Sequence, residues 1–120
     1  MAWLLDSYAW LEYFGGNEKY AKYVEDEVNF TASVSLTEVV RSLIRKKVPK
    51  GQIERCLKFI TKKSTILPIG EQEAIRAGFV AEEQGLHFSD ALIYSLATPE
   101  RKVVTGDRHF KGKANAEFVA

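Results

Sequence analysis

A chain of 120 residues, 46% of them hydrophobic, fits one compact domain over residues 1–120 and closes a core without disulfides or a structural metal. Lys and Arg number 17 against 16 Asp and Glu, so the net charge of +1 excludes a global field that would draw the molecule onto a polyanion, and any nucleic-acid contact must come from a local patch. The lone cysteine, Cys56, excludes an internal disulfide and a multi-cysteine zinc site, which suits a reducing compartment, and no apolar run approaches the ~20 residues of a membrane span.

The apolar run Ala2 to Leu5 stops at Asp6, too soon for a signal peptide, so a soluble, cytoplasmic protein is expected. That run reads as a strand, and Ser7 to Phe14 reads as a helix broken by Gly15-Gly16. Asn17 caps a second helix in which Tyr20, Tyr23, Val24 and Val28 recur at helical steps, before a strand from Phe30 to Ser33. Ser35 to Lys47 places Leu36, Val39, Val40, Leu43 and Ile44 on one face, with basic residues at its end and Pro49 as its stop. A further helix runs to about Lys63, with Ile53, Cys56, Leu57 and Ile60 as a stripe that marks Cys56 as a buried core thiol. Then come a strand from Thr65 to Ile69, a helix from Glu71 to Gln84 closed by Gly85, and a helix from Phe88 to Ala97 ended by Pro99. Lys102 to Thr105 is a strand, and Glu117 to Val119 a last short one.

Strands separated by helices require crossovers, hence a mostly parallel sheet covered on both faces: the fold class is α/β. No repeat, low-complexity stretch or linker divides the chain. In open α/β sheets ligands bind beyond the carboxyl ends of the strands. Asp6 in LLD and Asp107 in VVTGD directly follow strands, Glu38 lies in the first turn of the helix after the second strand, and Asp90 in HFSDALIYSLA begins a helix whose loop can bring it to the same edge.

Each acid also has a purely structural reading. Asp6 and Asp107 cap helices, Ser35-Leu36-Thr37-Glu38 fits a capping box, and Asp90 favours a helix dipole. The joint pattern points elsewhere, because acids far apart in sequence converge on one edge. Two carboxylates about 4 Å apart near a surface repel by roughly 4 kcal/mol, so such a cluster must hold a proton, a basic neighbour or a metal. All-oxygen ligands suit Mg²⁺ or Mn²⁺ rather than Zn²⁺. Ions held this way lower the pKa of a bound water and steady the charge on a phosphodiester under in-line attack. Ser7 and Thr105 are candidate hydroxyls for orienting a carboxylate or the attacking water, and ordinary turn-forming roles fit them equally.

Together LLDSYAWLEYF, SLTEVVRSL, SDALIYSLA and VVTGDRHF resemble, in order and spacing, the four acidic motifs of the PIN-domain family, especially its VapC-type toxins. The resemblance spans nearly the whole chain. It implies a Mg²⁺- or Mn²⁺-dependent endoribonuclease on a three-layer α/β/α sandwich with an about five-stranded parallel sheet. Asp6, Glu38, Asp90 and Asp107 carry over as the catalytic and metal-binding acids and Thr105 as the family's hydroxyl position. It further implies a homodimer silenced by an antitoxin whose carboxyl-terminal segment lies in a groove near the metal site. Two departures stand out: Ser7 and Tyr8 follow the first acid where Thr and then Asn or Ser are usual, and Gly106 replaces a larger residue. Neither removes a ligand, and both bear on the site's entrance.

Trp10, Tyr13, Phe14, Tyr20 and Tyr23 give the first two helices more aromatics than the core obviously requires, which makes them candidates for a partner surface as well as for the core. Arg41, Arg45, Lys46, Lys47 and Lys50 form the densest basic stretch, which reads first as a solvated helix end, with Arg108, Lys111 and Lys113 nearer the acids; Arg41, Arg45, Arg108 and Lys111 are the candidate RNA contacts. Tyr8 and Phe110 are candidates for stacking unpaired bases. His87 and His109 flank two of the acids but have no zinc-type partners, and a four-acid site does not need them.

Competing α/β readings fit less well. A phosphoacceptor receiver wants paired acids near the first strand and a late lysine, and a haloacid-dehalogenase-type phosphatase wants Asp-x-Asp where this chain has Asp6-Ser7-Tyr8. A DNA flap nuclease needs arch and clamping elements for which the chain is too short. The alternative from another class is a PIN-fold protein-binding module without nuclease activity.

Overall fold

Leu4 and Leu5 are both fully buried, as are Val103 and Val104, yet the members of each pair belong to different cores. Side chains alternate across a strand, so a strand buried on both sides must lie at the centre of a covered sheet. The structure, a computed structural model, describes residues 2–26 and 28–120. Its strands are β1 (Ala2–Leu5), β2 (Asn29–Ala32), β3 (Thr65–Leu67), β4 (Arg101–Thr105) and β5 (Ala116–Phe118). They form one sheet in the order β3-β2-β1-β4-β5, every pairing parallel.

The helices are α1 (Ser7–Phe14), α2 (Ala21–Val24), α3 (Ser33–Arg45), α4 (Lys50–Lys63), α5 (Glu71–Gln84) and α6 (Phe88–Tyr94). On one face Leu5 and Val104 meet Trp10 of α1, Val24 of α2, Val39 and Leu43 of α3, and Ile53 and Ile60 of α4. On the other, Leu4 and Val103 meet Ala77 of α5 and Ala91, Ile93 and Tyr94 of α6. The parallel sheet covered on both faces is what the alternation of elements predicts, and its five strands in a three-layer α/β/α sandwich are what the resemblance to the PIN-domain family implies. No helix among the described residues is long and apolar enough to cross a membrane.

The chain builds outward from β1 through β2 to β3, then returns to lay β4 on the other side of β1. The strand order reverses between β1 and β4, and in open α/β sheets ligands bind beyond the carboxyl ends of the strands at such a point. Register pairs Leu5 with Val104, so the residues leaving these two strands emerge side by side.

Several boundaries differ from the sequence reading. Asn17 does cap, accepting from the Lys19 N–H at 3.1 Å, but it opens a 3₁₀ turn (Glu18–Tyr20) that leads into the single turn of α2. The expected longer helix crosses Glu27, which lies outside the described residues. Helix α3 starts directly at the end of β2, two residues before the expected start, with Ala32 as its cap residue. Pro49 does not stop α3; Lys47 does, with a left-handed φ of 61°, and Pro49 caps α4, where a missing N–H costs nothing. Helix α6 ends at Tyr94 rather than Ala97: the Ser95 hydroxyl donates to the Leu92 carbonyl at 2.8 Å, and the Arg101 guanidinium takes the Leu96 carbonyl at 2.6 Å. Cys56 is only partly buried at the margin of the core, and burial raises its thiol pKa.

Candidate active site

Asp6 is the first residue beyond β1. Its extended backbone caps α1, and one carboxylate oxygen accepts the Ala9 N–H at 2.8 Å. Beside it β4 ends at the fully buried Thr105, whose hydroxyl oxygen accepts the Asp107 N–H at 2.9 Å and whose side chain also hydrogen-bonds Asp6. One hydroxyl therefore ties the two strand-end acids together. Asp107 in turn caps a 3₁₀ turn (Arg108–Phe110), accepting the His109 N–H at 3.0 Å. Both aspartates do act as caps, and each cap bond occupies one oxygen, leaving the other for further contacts.

Glu38 does not form the capping box the sequence suggests. Because α3 begins at Ser33, Ser35 is inside its first turn and buried, its hydroxyl without a hydrogen-bond partner among the described residues. Glu38 instead accepts the Ser7 hydroxyl at 3.3 Å, across from α3 to α1. Asp90 comes from the opposite layer, in the first turn of α6, after Gly85 closes α5 with a left-handed φ of 64°. One oxygen each of Asp90 and Asp107 and a ring nitrogen of His109 lie within 4.8 Å of one another. Nδ1 of His109 is 3.0 Å from Asp107 and 3.9 Å from Asp90.

The electrostatics follow from this crowding. Burial, reinforced by the negative charges of Glu38 and Asp107, pushes the Asp6 pKa from 3.8 up to about 7, against the opposing bonds from Thr105 and Ala9. Burial also raises Glu38, with Asp90 and Asp107 adding to the rise and the Ser7 bond and Arg41 opposing it. Asp90 rises through burial and the charge of Asp107, opposed by His109 and His87. Among the described residues no Lys or Arg comes within ion-pair distance of any of the four acids. The donor set, mainly carboxylate oxygen in a negatively charged and half-buried crevice, fits a hard divalent cation such as Mg²⁺ or Mn²⁺. Asp90, Asp107 and His109 offer converging atoms, and Asp6 and Glu38 border them electrostatically.

Other candidates scatter. Arg41 is exposed and within electrostatic reach of Glu38, and Arg108 is exposed beside Asp107, but Arg45 lies two turns along α3 from Glu38 and Lys111 sits over the Phe118 ring at 5.7 Å. Phe110 is 1% exposed and packs on Tyr94, so it is core and cannot stack a base. Trp10, Tyr20 and Tyr23 are core as well; Tyr13 and Phe14 lie at its margin in a ring cluster with Phe59. His109 is the residue sequence reasoning set aside. Its signal is its position two residues after a capping acid, where a 3₁₀ turn folds the ring back onto the cap.

A family model described as the PIN domain matches residues 3–116. The chain belongs to the PIN-domain family. No curated protein matches this PIN domain in sequence, but solved structures do in fold. A toxin–antitoxin complex from Klebsiella pneumoniae contains a chain 19% identical, with a TM-score of 0.78 over 95% of this chain and 94% of that one. VapBC2 from Rickettsia felis, bound to a DNA fragment from its promoter, gives 18% identity and a TM-score of 0.74 over 99% and 98%. A protein of Pyrobaculum aerophilum gives 22% and 0.71 over 97% and 83%.

Proposed function

We propose that this PIN-domain protein is a divalent-metal-dependent endoribonuclease and the VapC-type toxin of a toxin–antitoxin pair. The observation that carries the reading is the gathering of Asp6, Glu38, Asp90 and Asp107, from β1, α3, α6 and the end of β4, with the first three raised in pKa and no Lys or Arg paired to any of them among the described residues. Structural carboxylates gain nothing from that convergence, whereas a cation site requires it.

A divalent ion held there supplies a water of lowered pKa and a counter-charge for the phosphodiester. The protein's own groups set the geometry. Ser7 orients Glu38, Thr105 fixes Asp6 relative to the Asp107 backbone, and the His109 ring lies against Asp107 with Nδ1 3.0 Å away, which orients that carboxylate. Arg41 and Arg108 flank the crevice as phosphate contacts. The antitoxin reading is supported by the apolar trough between α3 and α4, lined by Leu36, Val40 and Leu57 with Thr37, Thr61 and Arg41 beside them, which suits the apolar face of an amphipathic segment. Self-association is supported by Ile75, Phe79 and Phe88, each at least 60% exposed on α5 and α6.

The test is cleavage of a panel of single-stranded RNAs by the purified protein with Mg²⁺, Mn²⁺ or EDTA. Metal-dependent cleavage should fall in Asp90→Asn by more than the ~100-fold that loss of a merely supporting group can cost. Cleavage in EDTA, or full activity in Asp90→Asn, contradicts the reading. Tight binding of a protein partner with no cleavage of any RNA would favour the protein-binding module instead.

A further inference from the structure

The two departures from the family's motifs, Tyr8 and Gly106, meet in space. A Cβ placed on Gly106 would run into Cε1 of Tyr8 and the hydroxyl of Tyr20. The backbone of Gly106 is not in the left-handed region, so its conformation does not demand glycine; the space does. Tyr20 is 2% exposed and cannot yield, and the Tyr8 ring lies 6.4 Å from it, centroid to centroid. Tyr8 is therefore seated against a rigid floor made of the Gly106 backbone and the Tyr20 side chain. Yet it remains 43% exposed. Its neighbours along the chain are the site's own residues: Asp6 and Ser7 precede it, and Thr105 and Asp107 bracket the glycine beneath it.

An aromatic ring held on one side and open on the other, at the lip of a phosphodiester-cleaving crevice, has the properties a base platform needs. Unpaired bases are recognised largely by stacking on aromatic faces, which is sequence-tolerant because every base has one. A ring already fixed by its floor loses little freedom when a base covers it. A surface tyrosine serving only the fold would not need a glycine hollowed out beneath it between two site residues.

We propose that Tyr8 stacks one unpaired nucleobase of the substrate beside the acidic crevice, and that Gly106 is small in order to seat it. The proposal rests on the ribonuclease reading, and its test is made without cleavage so that the two can fail separately. The full chain, in EDTA, is titrated by fluorescence anisotropy against ten-nucleotide 2′-O-methyl homopolymers of A, C, G and U and against an abasic strand of equal length. Wild type should bind at least one base-bearing strand more tightly than the abasic strand. Tyr8→Ala should weaken base-bearing strands about 5- to 150-fold, the equivalent of one base–aromatic stack, and leave the abasic strand unchanged. Tyr8→Phe should keep wild-type affinity, while Gly106→Ala should resemble Tyr8→Ala and add little to it in the double variant. Equal affinity of wild type for base-bearing and abasic strands, or an equal loss on both in Tyr8→Ala, overturns the proposal.

Discussion

Asp6 is 4% exposed, and its raised pKa is a statement about stability as well as chemistry. The folded carboxyl holds its proton up to about pH 7, whereas the ordinary value is 3.8. Between those values the folded state binds more protons than the unfolded one, so the stability of the metal-free protein falls as pH rises. The contribution is on the order of 4 kcal/mol, fully present below about pH 4 and lost by about pH 7 to 8. Glu38 and Asp90 shift the same way and deepen the fall. Asp6→Asn keeps an oxygen for the Ala9 N–H and removes the buried charge. Urea unfolding in EDTA at pH 8 should find it more stable than wild type, with the difference vanishing at pH 4. A variant less stable than wild type at pH 8 would mean that the crevice stabilises the carboxylate after all.

Among elements, α1 is tied to the sheet by one buried hydroxyl. Thr31 of β2 accepts the Trp10 indole N–H at 3.0 Å and shares a hydrogen bond of 2.7 Å with Ser64 at the end of α4. Thr31→Val preserves shape but strands two buried polar groups, so urea unfolding should show a loss of about 1–3 kcal/mol, with Thr31→Ser much closer to wild type. Equal stability of Thr31→Val and wild type would show the network to be idle. Elements punctuated by strong local chemistry were legible in the sequence: Asp6 marks the end of β1 and start of α1, and Gly85 closes α5 where expected. Those governed by tertiary contacts were not. The start of α3 is set by β2 running into it without a loop, and the end of α6 by an arginine seven residues beyond Tyr94. The same displacement removes the capping box and turns Glu38 toward Ser7. His109 was set aside because a 3₁₀ turn of three residues leaves no periodicity to show its ring folding back onto Asp107.

At the scale of the whole molecule, the site exists because of strand order, which the sequence pattern does not state. Placing β4 beside β1 rather than beside β3 is what joins Asp6 to Thr105 and Asp107. The helical layers then deliver Glu38 from one face and Asp90 from the other, so no single element holds the cluster and none can form it before the chain has closed. The charge distribution is similarly global. From Arg41 to Lys63 the chain carries nine basic residues against the single acid Glu54, although the whole chain has a net charge of only +1. A basic pair of helices, α3 and α4, thus stands on the side of the sheet that supplies Glu38; on the proposed ribonuclease reading it would hold a polyanion without neutralising the acids. The central claim is that the acids of these four elements form one cation site. It is tested most directly by crystals soaked in Mn²⁺ and measured at the manganese absorption edge. The account predicts an anomalous peak bounded by Asp6, Asp90 and Asp107, absent after Asp90→Asn; no peak at saturating Mn²⁺, or one lying away from these residues, would contradict it.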